Sequence, residues 1–531
     1  MQGKSRTLTI SRLRASGNAY KYKYQDQVNM KTNTLLALFC CLHLVALGQS
    51  TQTAHPNVLI ILADDLGIGD VSAYQKGKLH TPNIDKLANG GVRFTNGYAT
   101  SATCTPSRFA LLTGRYPWHN AKAKVLPGDA PMLIDTAMFT LADLFKKQGY
   151  QTGVVGKWHL GLGNGKIDWN QPISETPNDL GFDYSYIMAA TNDRVPTVYV
   201  ENRQVKGLQA NDPLLVSYVQ NFPGEPTALT HPALMTTLKW DHGHNNSVHN
   251  GVPRIGFMKG GKAALWVDET MANEFLNQAS AFISQRHPQK TGQPFFLYYA
   301  LHQPHVPRVP NPRFVGKSGM GPRGDAILEA DWCVGEIVQK LEKEGLLENT
   351  LIIFSSDNGP VLNDGYLDDA VEKRGNHDPF GGLRGGKYSL FEGGTRVPFV
   401  TYWKGHIQPQ VSAALVCQID FLASFAQLFQ VSNPEPESQN TLKAFLGKSN
   451  KGRRELVLEA AGRLAFRQDH YALIPPHQGN AIAKDVNIEL GVAPEMQLYD
   501  LQKDPGQQHN LAKEKWKKVK ALEMAMQRLT Q

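Results

Sequence analysis

The sequence predicts an α/β fold in which a central, mainly parallel sheet is flanked by helices and followed by a small C-terminal α+β subdomain. Three observations carry this expectation. Several short apolar runs have the unbroken hydrophobicity of strands buried on both faces. Stretches of helical period, each closed by a breaker, lie between those runs. Each run stops abruptly at polar residues able to do chemistry.

In chain order, the run at 58–63 ends in Asp64 and Asp65, and the run at 152–156 ends in Lys157, Trp158 and His159. The run at 295–301 ends in His302, and that at 351–356 ends in Asp357 and Asn358. Helical patterns cover 140–148, closed by Gly149, and 326–343, closed by Gly345. Ligands of open parallel sheets bind beyond the carboxyl ends of the strands, so the four polar strand ends should converge on one site. The stretch 178–261 is rich in Asn, Pro, Gly and His and weakly periodic, which reads as loops and insertions on the binding face. Residues 433–454 turn polar and mark a boundary, dividing a domain at 55–432 from a subdomain at 455–531. The subdomain is expected to hold short antiparallel strands at 456–458, 471–474 and 496–501 and a terminal helix.

The first 48 residues read as an N-terminal extension and signal peptide. Lys31 precedes an apolar stretch at 35–47, and Ala46, Leu47 and Gly48 offer small residues for cleavage, so the mature chain would begin near Gln49. Met30 opens a more ordinary signal peptide than Met1 and is the expected start. The apolar stretch falls short of the roughly twenty residues a spanning helix needs, so the protein is expected to be exported, periplasmic or secreted, without a membrane span. Of five cysteines, Cys40 and Cys41 fall in the leader, which leaves Cys104, Cys333 and Cys417, too few for a disulfide framework. Cys333 and Cys417 suit buried apolar positions, whereas Cys104 invites a chemical explanation. A formal net charge of +8, with no dense basic run, favours an acidic substrate over nucleic acid.

Asp64, Asp65, Asp357 and Asn358 are hard oxygen ligands, and three carboxylates in one pocket would repel unless a cation such as Ca²⁺ or Mg²⁺ neutralised them. Either pair alone could equally cap a helix; their recurrence at two strand ends favours metal. The sharpest signal is Cys104-Thr105-Pro106-Ser107-Arg108, continued by Thr113-Gly114-Arg115. It resembles the signature of the type I sulfatases, in which the cysteine is oxidised to formylglycine (3-oxoalanine). The resemblance extends through the block at 57–65 with Gly67 and Gly69, Gly-Lys-Trp-His-Leu-Gly at 156–161, Asp-Asn-Gly at 357–359, and Leu498 to Leu501 with Asp504-Pro505.

The resemblance implies an alkaline-phosphatase-like fold and a hydrolase that cleaves sulfate esters with one Ca²⁺ on Asp64, Asp65, Cys104, Asp357 and Asn358. Hydrated formylglycine at 104 is a geminal diol. One hydroxyl, its pKa lowered by the cation, attacks sulfur; removal of the other's proton, by His159, expels sulfate and regenerates the aldehyde. Arg108 would hold the diol, Lys157 and Lys387 would clamp sulfate oxygens, and His302 would protonate the departing alkoxide, with His305 placed to share that role. Asn192, Asp193, Arg194 and a histidine cluster, His242, His244 and His249, are candidates for gripping the organic part of the substrate. A maturation enzyme that makes formylglycine is an implied partner. Within the family the chain looks like bacterial exported sulfatases of polysaccharides such as ulvan, carrageenan or glycosaminoglycans, and arylsulfatase activity on artificial esters is expected. Asp193 to Thr197, with Glu201 and Asn202, is similar to galactosamine 6-sulfatase-like members. Each residue also has a plainer reading: a lone histidine is more often a hydrogen-bonded core or surface group, a lysine a solvated charge, Arg108 a helix-face ion pair. The competing functions are a phosphodiesterase or phosphonate monoester hydrolase on the same fold, and a catalytically silent binder of sulfated glycans.

Overall fold

The computed structural model describes residues 55–530, so the expected leader lies outside the described residues. Ten strands form the main sheet: β1 (Asn57–Ala63), β2 (Val92–Tyr98), β3 (Gln151–Lys157), β4 (Tyr184–Met188), β5 (Tyr199–Glu201), β6 (Gln204–Val205), β7 (Phe295–Ala300), β8 (Thr350–Ser356), β9 (Phe399–Tyr402) and β10 (Gln410–Cys417). Their spatial order is β10-β2-β9-β8-β1-β7-β3-β4-β5-β6. The centre, β8-β1-β7-β3-β4, is parallel throughout, while β9 and β5 run against their neighbours. The four strands with polar tails are thus β8, β1, β7 and β3, side by side.

Period-two alternation within these unbroken runs explains how one strand serves two layers. Val58, Ile60 and Leu62 of β1 enter a core shared with Leu141 and Phe145 of α3 and Phe425 of α6. Leu59, Ile61 and Ala63 enter the opposite core, with Ile84 of α1, Phe275 of α4 and Ile337 of α5. The longer helices of this part are α1 (Pro82–Gly90), α2 (Cys104–Thr113), α3 (Leu141–Lys147), α4 (Met271–Gln285), α5 (Gly321–Lys343) and α6 (Phe421–Leu428). At the start of α3, the Thr140 hydroxyl accepts from the Asp143 N–H while the Asp143 carboxylate accepts from the Thr140 N–H, a reciprocal cap.

Two expectations are corrected. The stretch 178–261 is not wholly loop: β4 pairs in parallel with β3, its Tyr186, Ile187 and Met188 buried. Five residues were too short a run to show strand period among so many turn formers. In the C-terminal part, a four-stranded sheet is formed by β11 (Glu455–Ala460), β12 (Arg463–Gln468), β13 (Tyr471–Ile474) and β14 (Gln497–Asp500), followed by helix α7 (Trp516–Thr530). The sequence reading lacked β12, whose charged ends hide its strand. A tight hairpin fixes its register by pairing Ala460 with Arg463 across Ala461 and Gly462, which have φ of 50° and 79°.

A third core joins Leu456, Phe466, Leu498 and Leu522 of this part to Tyr98, Ala110 and Phe391, and Pro56–Gln531 is one compact unit. Cys104, Cys333 and Cys417 are all free and buried. Among the described residues no helix is long and apolar enough to cross a membrane. In the boundary segment, Arg453 is buried, its Nε 2.9 Å from both Asp420 carboxylate oxygens and one guanidinium N–H donating to the Tyr116 hydroxyl at 2.6 Å. Removing one partner of such a buried pair strands the other charge, so Arg453→Ala is expected to lower unfolding free energy by about 3–5 kcal/mol in urea titration. A loss below ~1 kcal/mol would show that water replaces the pair, as at an exposed site.

Candidate active site

The carboxyl ends of β1, β3, β7 and β8 and the N-terminus of α2 meet at one buried place. Cys104 is the first residue of α2, all of whose residues are buried. The loops around it are fixed by backbone contacts: the Tyr388 N–H donates to the Ala102 carbonyl at 2.9 Å, and the Lys387 N–H to Pro360 at 3.0 Å. Two glycines are required here. A Cβ on Gly156, at φ 113°, would lie 1.8 Å from the Ala300 carbonyl, and one on Gly359 would lie 1.8 Å from the Gly393 carbonyl.

The carboxylates interlock with three cations. Lys157 Nζ lies 2.7 and 2.6 Å from the two Asp64 oxygens and 3.9 Å from Asp357. Arg108 donates from Nε to Asp357 Oδ2 at 2.8 Å, with a terminal nitrogen in ion-pair contact with the same oxygen at 2.8 Å, and its other terminal nitrogen donates to the Lys157 carbonyl at 2.9 Å. Lys387 Nζ bridges Asp65 at 2.9 Å and Asp364 at 2.8 Å. The Asn358 amide donates to Asp65 Oδ1 at 2.7 Å. Burial, reinforced by Asp357 and Asp65, pushes the Asp64 carboxyl well above the ordinary carboxylate value in spite of Lys157. Burial acts on Asp65 in the same sense, but Lys387, Lys157 and the Asn358 amide outweigh it and hold that carboxyl low. Burial also raises the Cys104 thiol, against the pull of Lys157 and Lys387. Asp364, absent from the sequence-based set, carried no signal beyond being a lone aspartate in a Gly-rich loop.

The histidines sort by what their nitrogens face. His159 Nε2 lies 3.0 Å from the Leu126 carbonyl, which can only accept, so Nε2 carries the proton; Nδ1 is buried without a hydrogen-bond partner among the described residues. Burial, then Lys157 and Arg194, depress its pKa well below 6.5. After β7 the chain keeps alongside β1, with the Leu301 N–H on Leu62 and the Asp64 N–H on Gln303. That course delivers His305, rather than His302, to the carboxylates. His305 Nε2 lies 3.8 Å from Asp65 Oδ2 while Nδ1 meets the Val306 carbonyl at 2.7 Å. The His302 ring packs 6.0 Å from that of Phe275, with Nδ1 unpartnered, and burial lowers its pKa to about 4. The two residues sit three apart on one turn, and spacing could not choose between them.

From the insertion, Asp193 pairs with Arg194 at 2.8 Å and with His244 at 2.9 Å. Burial opposes ionisation of Asp193, but Arg194 and the histidines His244 and His305 prevail and hold it well below the usual range. Asn192 donates to the Pro307 carbonyl at 3.1 Å and keeps its own carbonyl oxygen buried and unpartnered. His249 stands apart from these: its Nδ1 meets the Thr197 hydroxyl at 2.9 Å, and burial with Arg254 depresses its pKa to about 3. That places His249 in the packing of the insertion rather than among the carboxylates. His242 pairs with Asp241 at 3.2 Å on the surface.

A sulfatase family model matches residues 56–431. The chain belongs to the sulfatase family. It is 48% identical to N-acetylgalactosamine-6-O-sulfatase of Bacteroides thetaiotaomicron over 88% of this chain and 91% of that one. It is 32% identical to human arylsulfatase A, over 88% and 86%. Among solved structures, one from Bacteroides thetaiotaomicron, determined in work on the metabolism of multiple glycosaminoglycans, has a TM-score of 0.87 at 48% identity and covers 90% of this chain and 99% of its own. The phosphonate monoester hydrolase of Agrobacterium radiobacter, at TM-score 0.54 and 19% identity over 90% and 95%, shares the fold alone. The fold is alkaline-phosphatase-like, and the protein is a sulfatase, a hydrolase.

The family implies a metal, and the donors fit one. Ligand atoms of Asp64, Asp65 and His305 lie within 4.8 Å of one another, and Asn358 Oδ1 is buried without a partner among the described residues. The oxygen atoms of Asp64, Asp65 and Asn358 suit a hard divalent cation, whereas the His305 imidazole is not a donor that such an ion prefers. With its proton held by Leu126 and its pKa depressed, His159 is expected to titrate well below 6.5 as the Nε2–H tautomer, read by ¹⁵N chemical shifts. A ring already protonated at pH 6.5 would contradict the geometry.

Proposed function

We propose that this sulfatase removes sulfate from a sulfated carbohydrate by means of a formylglycine formed from Cys104, with one Ca²⁺ held by Asp64, Asp65, Asp357, Asn358 and residue 104. The observation that carries the reading is Cys104 at the head of a buried helix, within an interlocked set of carboxylates, Arg108, Lys157 and Lys387. When present, formylglycine supplies a hydrated nucleophile and the cation increases its acidity.

The chain's own residues then have separable tasks. Arg108, locked on Asp357, presents a fixed positive edge beside residue 104. Lys157 and Lys387 are held by carboxylates with their ammonium groups inside the site, where they can turn to sulfate oxygens as charge accumulates. His159 has a lone pair on Nδ1 and its proton pinned away, the form required of a base. His305 suits protonation of the leaving alkoxide better than His302, because it adjoins the carboxylates while His302 packs on Phe275. A proton on His305 Nε2 is disfavoured by burial, Lys387 and Lys157, so the negative charge of a bound sulfate ester would promote it.

The 48% identical relative and the matching structure from work on glycosaminoglycan metabolism weigh toward a glycosaminoglycan fragment bearing a 6-sulfated N-acetylgalactosamine, and away from ulvan. Asp193 and Arg194 would bind its hydroxyls. The apolar leader supports export to the periplasm or beyond. Because Cys104 is buried at 1% exposure, a maturation enzyme must reach it before α2 packs.

Matured enzyme is expected to release sulfate from N-acetylgalactosamine 6-sulfate, and Cys104→Ala or chelation should each remove that activity. Release unaffected by either change would sink the proposal, and turnover of a phosphonate ester alone would favour the hydrolase on the shared fold. His305→Ala should lower turnover of the sugar sulfate by about 10²-fold or more while sparing an aryl sulfate, whose leaving group needs no proton. His302→Ala should change both substrates alike. The protonated share of a ring with a depressed pKa grows as pH falls, so sugar-sulfate turnover should rise from pH 8 to pH 6 in the wild type and stay flat in His305→Ala.

A further inference from the structure

Beside the catalytic residues lies a cavity of about 430 Å³ that no catalytic side chain fills. Its walls are the segment 117–125, the hairpin turn between β11 and β12, and Tyr388; Thr103 and Pro106, on either side of Cys104, form its inner end. That volume lies within the range of about 300–1,000 Å³ typical of ligand pockets. The far wall comes from the C-terminal part, so the groove exists only because that part packs beside α2.

The lining has the chemistry of a sugar platform. Trp118 stacks on Tyr116 with centroids 4.0 Å apart and planes 23° apart, and Tyr116 is in turn fixed by Arg453, so the indole is rigid. Rigid aromatic surface costs little entropy to bury against a pyranose ring. Ala461 and Gly462 keep the opposite wall low at the hairpin turn. Of the two charged lining residues, Glu459 is committed, its carboxylate accepting from the Ser101 hydroxyl and the Gly462 N–H. Lys124 is exposed and forms no ion pair among the described residues, so it is the charge available to a ligand.

Resting on the glycan reading above, we infer that this groove is a subsite for the sugar adjoining the sulfated one, and that Lys124 selects an anionic neighbour, a uronate or a second sulfate ester. Trp118 supplies the face on which that ring lies. The groove therefore sets which linkage contexts are cleaved, while the residues around Cys104 set the chemistry.

The test compares matured wild type, Lys124→Ala, Lys124→Glu and Trp118→Ala on four substrates: an aryl sulfate, a 6-sulfated N-acetylgalactosamine monosaccharide, the same sugar linked to a uronate, and the same sugar linked to a neutral hexose. Expected is a lower kcat/KM of roughly fivefold for Lys124→Ala on the uronate disaccharide, more for Lys124→Glu, with the other three substrates unchanged. Trp118→Ala should impair both disaccharides and spare the monosaccharide. Replacing the uronate by a sulfated neighbour should restore the Lys124 dependence. Equal rates of wild type and Lys124 variants on every disaccharide, or equal losses on all four substrates, would overturn the inference. Wild type that cleaves the aryl ester and no sulfated sugar would overturn the glycan reading itself and the subsite with it.

Discussion

Concentrating negative charge in a dry pocket is the constraint on which the site depends. Asp64, Asp65, Asp357 and Asp364 are brought together where water is excluded, and two unit charges 4 Å apart at an effective dielectric of about 20 repel by about 4 kcal/mol. Arg108, Lys157 and Lys387 answer most of this through contacts of 2.6–2.9 Å. Four carboxylates against three permanent cations leave an excess, which adds to burial in raising the Asp64 carboxyl. Should the lysines turn toward an anionic substrate, the excess grows, and a divalent cation is the simplest way to hold the carboxylates in place.

That demand explains the placement of the charged groups on rigid elements. Each side chain of the cluster sits at the end of a strand buried on both faces, on a buried helix, or on a loop tied down by backbone hydrogen bonds. Gly156 and Gly359 allow neighbouring chains to approach to distances a side chain would forbid. A loosely held lysine would collapse permanently onto a carboxylate or swing into water. Here Lys387 is shared between Asp65 and Asp364, two partners of like charge, so moving from one costs less than losing its only partner.

Much of this was legible in the sequence because unbroken apolar runs ending in polar residues report two facts at once, burial of the strand and location of its chemistry. Asp64, Lys157 and Asp357 were placed by that rule, and β8, β1, β7 and β3 are indeed neighbours. The rule loses resolution beyond the strand, where the chain can turn at any residue, and hence it could not separate His302 from His305. It also has nothing to say of Asp364, which reaches the site on a loop, or of His244, whose link to Asp193 spans 51 residues. Strands β4 and β12 escaped notice because pairing with a neighbour, and not their own periodicity, makes them strands. His242, His244 and His249 lie close together in sequence, but folding separates them: His244 pairs with Asp193, His249 with Thr197 and His242 with Asp241.

The C-terminal part illustrates how packing and function share the same contacts. The Arg453, Asp420 and Tyr116 network holds the boundary segment against α6 and the segment after α2, and it carries the stacked Trp118 with it. Glu459 at the end of β11 in turn grips Ser101, three residues before Cys104. A displacement of the C-terminal sheet would therefore move both one wall of the groove and the surroundings of Cys104. A change at that interface therefore reaches the cavity wall as well, because the buried Arg453 and Tyr116 that hold the boundary segment also support Trp118.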